Sequence, residues 1–301
     1  MDKILRTITS DGSLMASAID SSEIVYTAQK VHGLSKTACA ALGRLLTGAS
    51  LMGNLLKIEG ASLTLKVYGG GPLGNLVAIS DCNGNVRGYV DHPDVELPLK
   101  PNGKIDVGGG VGCQGRLAVI RDLGEKDPYI GQVELVSGEI AEDLTNYFAS
   151  SEQIPTVCAL GVLVDKERGE AMLSGGLLIQ VLPGADDVAL DRLEQNISQL
   201  DSVTTMLAKG MSPEEMCRAA LNGFEVEILD QAPVHYVCNC SKERFARGLL
   251  TLGSKELLNL QGDAQGAVET VCHYCNKKYL FTREEIENLA KMAAESEKKK
   301  T

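Results

Sequence analysis

Four thiols gather near the C-terminal end of this chain. The stretch "HYVCNCSKERF", His235 to Phe245, holds Cys238 and Cys240 one residue apart, and "VCHYCNKKYLF" holds Cys272 and Cys275. The pattern is Cys-x-Cys, a spacer of 31 residues, then Cys-x-x-Cys. Close spacing within each pair lets both sulfurs face one point. Tetrahedral zinc takes four ligands about 2.3 Å from each sulfur, and structural sites are often four thiolates. The pattern therefore points to one zinc ion on Cys238, Cys240, Cys272 and Cys275. Thiolates held by a metal are also nucleophiles open to oxidation. His235 and His273 lie beside the pairs, and either could replace a thiol as ligand. With four cysteines at hand, both read as surface or neighbouring imidazoles. A different metal, a plain dithiol redox pair and four unconnected buried thiols are the other readings.

The elements around the thiols form a small module beginning at Ala232. A strand is expected at "VHYVC", and Ser241 is placed to cap a helix "KERFARGLL". Ser254 is expected to cap "KELLNLQ". "AVETV", the turn "CHYCN" and "KKYLF" spell a hairpin, and Thr282 with Glu285 spells a capping box for a last helix. So short a unit buries too little apolar surface to be comfortably stable alone and needs a staple.

The preceding chain reads as strands with two helices. "ILRTIT" and "LMASAI" flank Asp11-Gly12, a hairpin signal. "LTLKVYGGGPLGNLVAISDCNGNVRGYVDHP" supplies three strands, with Asn83-Gly84 at a turn. "GRLAVIRDL" with "YIGQVELVS", and "PTVCALGVLVD" with "EAMLSGGLLIQVL", supply two further pairs. A long helix is expected from Ser35, its N-cap, to Lys57, with Leu42, Leu45, Leu46, Ala49, Met52 and Leu56 at helical spacing. Ala41, Gly43, Gly48 and Gly53 leave room there for a close neighbour. The second helix is expected near Gly138 to Ser151. At Pro183-Gly184 the pattern changes to charged amphipathic helices: Leu190, Leu193, Ile197 and Leu200 share a face, and Ser212, Pro213 and Glu215 form a capping box. Isolated helices of this length are marginal in water, so this region must dock on a neighbour.

Composition narrows the function. At 301 residues, two or three units of roughly 100–200 residues each are expected. The formal net charge of -11 opposes loose binding to nucleic acid or an anionic membrane. The nearest basic run, Lys298 to Lys300, reads as a frayed tail. No signal peptide or long apolar span is visible, so a cytoplasmic location is expected. Reducing cytosol keeps nine cysteines from being ordinary disulfides.

Other motifs carry less. Gly69, Gly71 and Gly74, and again Gly110, Gly112 and Gly115, match G-x-G-x-x-G, but each is followed by a strand-like run instead of the helix a dinucleotide fold requires. Tight turns are the better account. Cys39, Cys82, Cys113, Cys158 and Cys217 are scattered singly and read as buried small hydrophobes. Cys113 with His92 is the one pairing that would suit a protease dyad, and nothing else supports it. Glu139, Glu142 and Asp143 lie on one expected helix and read as a solvated face. No catalytic constellation stands out, so no enzyme activity is expected.

The pattern "CNCSKERF…VCHYCNKKYLFT" resembles the redox switch of the 33-kilodalton redox-regulated heat-shock chaperone family of bacteria, and "GGGPLG", "VELVSGEIAEDLTNYFASSEQIP" and "GGLLIQ" are similar to that family's core. The resemblance covers essentially the whole chain, with no departure at the four cysteines. It implies an ATP-independent holdase, inactive when reduced with one zinc on Cys238, Cys240, Cys272 and Cys275. It further implies that oxidation pairs Cys238 with Cys240 and Cys272 with Cys275, releases zinc, unfolds the middle region and yields a dimer that binds unfolding client proteins.

The expected fold is α+β: a core of largely antiparallel sheets with packed helices over 1–183, a helical linker over 184–231, and a zinc-binding α+β module over 232–301. Two rivals remain from the residues alone. One is a constitutive zinc-ribbon adaptor for nucleic acid or a partner protein, and the other a thiol oxidoreductase using Cys272 and Cys275.

Overall fold

The computed structural model describes residues 1–260, 262 and 266–298. Lys299 and Lys300 of the expected basic tail, and Gln261 at the end of "KELLNLQ", fall outside them. The chain is α+β and divides into two compact units, one over Met1–Val237 and one from Cys238 onward.

The first unit holds two five-stranded antiparallel sheets. One contains β1 (Lys3–Thr9), β2 (Leu14–Asp20), β8 (Thr156–Val164), β9 (Ala171–Val181) and β10 (Val226–Pro233), in the order β10-β1-β2-β9-β8. The other contains β3 (Ser62–Tyr68), β4 (Asn75–Asp81), β5 (Val86–Val90), β6 (Arg116–Asp122) and β7 (Tyr129–Glu134), in the order β5-β4-β3-β6-β7. The hairpins expected at Asp11-Gly12 and Asn83-Gly84 form. Gly12 and Gly84 take φ of +71° and +83°, which suits glycine.

The long helix, α2 (Lys36–Gly53), packs against strands of both sheets. Ser35 caps it, its hydroxyl accepting from the Ala38 amide at 3.1 Å. All but two of its side chains are buried, and the small residues allow this. A Cβ at Gly48 would lie 2.6 Å from Leu144 Cδ1, and one at Gly53 2.2 Å from Ser80 Oγ. Inside the core, the hydroxyls of Ser21, Thr47 and Ser174 satisfy one another at 2.7, 3.0 and 3.3 Å, as buried polar groups must.

A helix absent from the sequence expectations, α1 (Ser22–His32), precedes α2. Its first-turn amides at Glu23 and Ile24 donate to the Asp2 carboxylate at 2.9 and 2.7 Å. The cap thus comes from far upstream in the chain, where local pattern cannot show it.

The two glycine-rich runs pack on each other. Gly71 and Leu73 donate their amides to Val111 and Gly110 carbonyls at 2.9 and 3.0 Å, and Gln114 donates to Gly69 at 2.9 Å. A Cβ at Gly115 would lie 1.8 Å from the Tyr68 carbonyl oxygen. The short helix α3 (Val107–Val111) runs into the second of them, and strands β4 and β6 follow the two runs. The glycines serve close backbone approach between two loops. Gly115→Ala is expected to destabilise the first unit by about 3 kcal/mol through overpacking, read as a lower urea midpoint.

The expected helix near Gly138 to Ser151 begins later, as α4 (Ala141–Tyr147), and continues as a π-helical turn over Phe148–Glu152. Of the three carboxylates there, only Glu142 is exposed as expected. Asp143 is buried and accepts from the amides of Val136, Ser137 and Ile140 at 2.8, 3.1 and 3.0 Å. Glu139 lies before the helix, pairs with Arg44 at 2.5 Å and with Lys100, and is held below the usual carboxylate range by those cations despite its burial. Starting the helix at Ala141 takes Glu139 off it and makes Asp143 the residue that ties down the incoming loop.

Helices α6 (Val203–Ala208) and α7 (Pro213–Ala220) dock on the first sheet, and α5 (Asp187–Gln199) packs on α7. Leu193, Val203, Met206, Leu207, Met216 and Leu221 share a core with Leu5, Leu14, Ala16, Ala18, Leu177 and Ile179. The strand expected at "VHYVC" is instead β10, which starts at Val226 and completes this sheet beside β1. Arg6 donates to Asp230 across that pair, Nε to Oδ1 at 2.9 Å. The compact boundary therefore falls after Val237, later than the sequence expectation of 231/232.

Candidate metal centre

The second unit is built from α8 (Lys242–Leu250), α9 (Ser254–Asn259), the hairpin β11 (Val268–Val271) with β12 (Lys278–Phe281), and α10 (Arg283–Lys298). Ser241 caps α8, accepting from the Arg244 amide at 3.2 Å. The Thr282–Glu285 capping box opens α10: the Thr282 amide donates to Glu285 at 2.9 Å, and the Glu285 amide to Thr282 Oγ1 at 3.3 Å. Ser254 is already the first residue of α9, and Gly253 takes the cap position, with φ +87°. The buried apolar core is small: Leu257, Phe281, Ile286, Leu289, Ala290 and Ala293. No residue of α8 is buried.

The expected knuckle forms between β11 and β12. The Cys272 amide donates to the Lys277 carbonyl at 2.9 Å, and the Asn276 amide to the Cys272 carbonyl at 2.8 Å. Asn276 takes φ +55°, a left-handed conformation that asparagine tolerates. This turn points Cys272 and Cys275 at Cys238 and Cys240, which lie in the irregular segment before α8.

All four Sγ atoms lie within 4.8 Å of one another, and among the described residues no other group of His, Cys, Asp or Glu meets that test. Cys238 Sγ lies 3.7 Å from Cys272 Sγ, and Cys240 Sγ lies 3.3 Å from Cys275 Sγ. Both exceed a disulfide's ~2.05 Å, and the thiols are free. A tetrahedron with metal–sulfur bonds of about 2.3 Å has edges of about 3.8 Å, so the donor set fits a four-thiolate ion. His235 and His273 are not part of the cluster.

Burial raises the Cys238 and Cys275 thiols above the usual range. Burial acts the same way on Cys240, but hydrogen bonds from the Tyr279 hydroxyl and the neighbouring thiols outweigh it and bring Cys240 down to about 7. Tyr279 Oη lies 3.1 Å from Cys240 Sγ and 3.1 Å from the Cys240 carbonyl oxygen. Its ring sits 5.1 Å from that of Phe245, centroid to centroid. Sequence reasoning passed over Tyr279; the available signal was an aromatic on the return strand, four residues past Cys275. Lys242 ties α8 to α10 through Glu285 at 2.7 Å.

The remaining cysteines divide by burial. Cys39 and Cys217 are buried, Cys82 and Cys158 half-buried, and Cys113 exposed. Burial pushes the Cys39, Cys158 and Cys217 thiols up to about 12, which leaves them inert. Cys113 departs from the expectation of a buried hydrophobe, because its loop packs through backbone and leaves the side chain outside. Among the described residues no hydrogen bond joins Cys113 to His92. Cys272 and Cys275 sit in a hairpin turn, and the next helix begins only at Arg283. A dithiol oxidoreductase of the thioredoxin kind would place them at a helix start.

The comparisons with known proteins assign this architecture, a two-sheet α+β unit followed by a small four-thiol unit, to a class of chaperones. The profile described as Hsp33 protein matches residues 2–282. A 33 kDa chaperonin of Bacillus licheniformis is 46% identical over 289 residues, covering 96% of this chain and 99% of the relative. One from Acetivibrio thermocellus is 46% identical over 97% of each chain. The crystal structure of the 33 kDa chaperonin from Thermotoga maritima superposes with a TM-score of 0.88 at 38% identity, over 97% of this chain and 99% of that one. The chain belongs to the Hsp33 family of chaperones.

Proposed function

We propose that this protein is a redox-regulated, ATP-independent holdase of the cytoplasm. In the reduced state Cys238, Cys240, Cys272 and Cys275 hold one zinc ion, and the chaperone is silent. The observation that carries the reading is the convergence of four thiols on one point in a unit with so few buried apolar side chains. Zinc, when bound, supplies cross-linking: about 10–16 kcal/mol in small four-ligand modules, against a typical domain stability of about 5–15 kcal/mol. Losing the thiolates therefore removes a contribution as large as the stability of the unit.

Oxidation of two zinc-bound thiolates to a disulfide gives two electrons to peroxide, which takes two protons from solvent and leaves as two waters, and the zinc ion is released as its thiolates are lost. The pairs would be Cys238 with Cys240 and Cys272 with Cys275, neighbours in sequence that can still meet once the unit has lost its fold. The proposed linker is the helical part of the middle region, 184–225, since β10 from Val226 onward stays paired with β1. Its helices cover the apolar face made by Leu5, Leu14, Ala16, Ala18, Leu177 and Ile179. Unfolding it exposes that face and the helices' own apolar side, which bind unfolding clients in an activated homodimer. Neither nucleotide nor nucleic acid takes part, and no reaction on the client is catalysed. No helix among the described residues is long and apolar enough to cross a membrane.

Zinc and thiol counts before and after peroxide at raised temperature, beside an aggregation assay, test the reading. The expected result is one zinc and silence when reduced, then zinc release with four thiols lost and aggregation suppressed. Zinc release without suppression would overturn it. Ser212 caps α7, its amide donating to Glu215 at 2.7 Å and the Glu215 amide donating back to Ser212 Oγ at 3.3 Å. Ser212→Ala is expected to weaken the linker by about 1 kcal/mol and to lower the temperature at which peroxide activates, measured by the same assay.

A further inference from the structure

A groove of about 640 Å³ in the first unit is lined by five consecutive residues of β8, Leu160 to Val164. Side chains alternate across a strand, so consecutive residues can line a groove only along the backbone edge. β8 is the last strand of its sheet, and its outer edge offers backbone donors and acceptors to a further strand. The facing wall is the loop carrying Leu97, Pro98, Leu99 and Ile105. One side is formed by α6, which lies over the sheet face across β8 and β9: a Cβ at Gly161 would lie 2.8 Å from Thr204 Cγ2, and one at its partner Gly175 2.8 Å from Leu207 Cδ1.

The groove is cationic in an acidic protein. Lys36, Arg44, Lys104 and Lys166 line it against Glu96 alone. Arg44 is paired with Glu139 and Lys36 with Glu96, whereas Lys104 and Lys166 are exposed and carry no ion pair among the described residues. An open strand edge, an apolar wall and two unspent ammonium groups call for one kind of occupant.

We propose that this groove takes an extended segment of a client polypeptide, added to β8 as a further strand, with acidic side chains met by Lys104 and Lys166. Main-chain hydrogen bonds along the edge give affinity without sequence preference, while the apolar wall and the lysines select alternating apolar and acidic residues. The assignment rests on the holdase reading and names the class of segment held. α6 belongs to the proposed linker, so its release opens that side of the groove and ties client capture to oxidation.

The probe is a fluorescein-labelled peptide of about ten residues alternating Val and Asp, bound to the full chain before and after peroxide. A Val/Lys counterpart and a backbone N-methylated Val/Asp peptide are the controls. The expected result is that the acidic peptide binds about tenfold tighter than the basic one, and more tightly after oxidation. The double variant Lys104→Glu/Lys166→Glu should invert the preference with zinc content and urea midpoint unchanged. Amide exchange should slow within β8, and the N-methylated peptide should not bind. Equal binding of the N-methylated peptide, or an unchanged preference in the double variant, would overturn the assignment. So would laurate binding there in place of any peptide. Aggregation suppression by oxidised wild type, run in parallel, separates the two readings. Suppression without β8 protection removes only the groove assignment, and β8 protection without suppression removes the holdase reading.

Discussion

Cys272→Ser is expected to leave the second unit unfolded in the reduced protein. Cys272 is the buried member of the cluster, at 4% exposure, and its amide and carbonyl both anchor the knuckle turn. Serine keeps the shape but offers a hydroxyl, a poor zinc ligand at neutral pH. The lost contribution is most of the about 10–16 kcal/mol that a structural zinc supplies, far beyond what six buried apolar residues can replace. The measurements are zinc stoichiometry with a chromophoric chelator and the far-ultraviolet signal of α8 to α10. A variant that binds one zinc with unchanged affinity and keeps its helices would show that the four sulfurs are not the staple. On the proposed mechanism the same variant also suppresses client aggregation without peroxide.

Met206→Ala is expected to awaken the chaperone while leaving the zinc in place. Met206 is 1% exposed, on α6, within the core that joins the helices to the first sheet. Truncation of a buried methionine costs about 2–5 kcal/mol, a large share of what a short helical segment can spare. The reduced, zinc-loaded variant should bind an apolar dye and slow client aggregation in part, with a stoichiometry of one zinc. A reduced variant as silent as wild type, despite a lowered urea midpoint, would detach linker release from activation. The two variants act on different units, so their comparison separates the staple from the segment it controls.

The four-thiol cluster was legible because its cysteines obey local spacing rules. Two short cysteine motifs and a hairpin turn define where the sulfurs point, and Ser241, Thr282 and Glu285 mark helix starts within a few residues. Most strands of the first unit were legible for the same reason, through alternation and the Asp11-Gly12 and Asn83-Gly84 turns. The failures share a different cause. α1 is tied at its start by Asp2, far upstream, and β10 is a strand because β1 is there to pair with it. Asp143 and Glu139 look like a charged helix face until the start of α4 at Ala141 divides their roles. In each case the deciding partner is distant in sequence. Tyr279 belongs here too, since only the folded hairpin brings its hydroxyl to Cys240.

The placement of β10 has a consequence for resetting. The helical stretch from Leu182 to Glu225 leaves the first sheet at the end of β9 and returns to it at β10, which pairs with β1. A segment pinned at both ends unfolds as a closed loop, not as a free tail. Its ends stay registered on one scaffold, and lengthening or loosening such a loop changes the closure entropy only slowly. Redocking then becomes an intramolecular search at high effective concentration, governed by loop dynamics and not by strand pairing. On the proposed mechanism, reduction of the thiols makes the return of α5 to α7 a local event, and client release follows it without rebuilding either sheet.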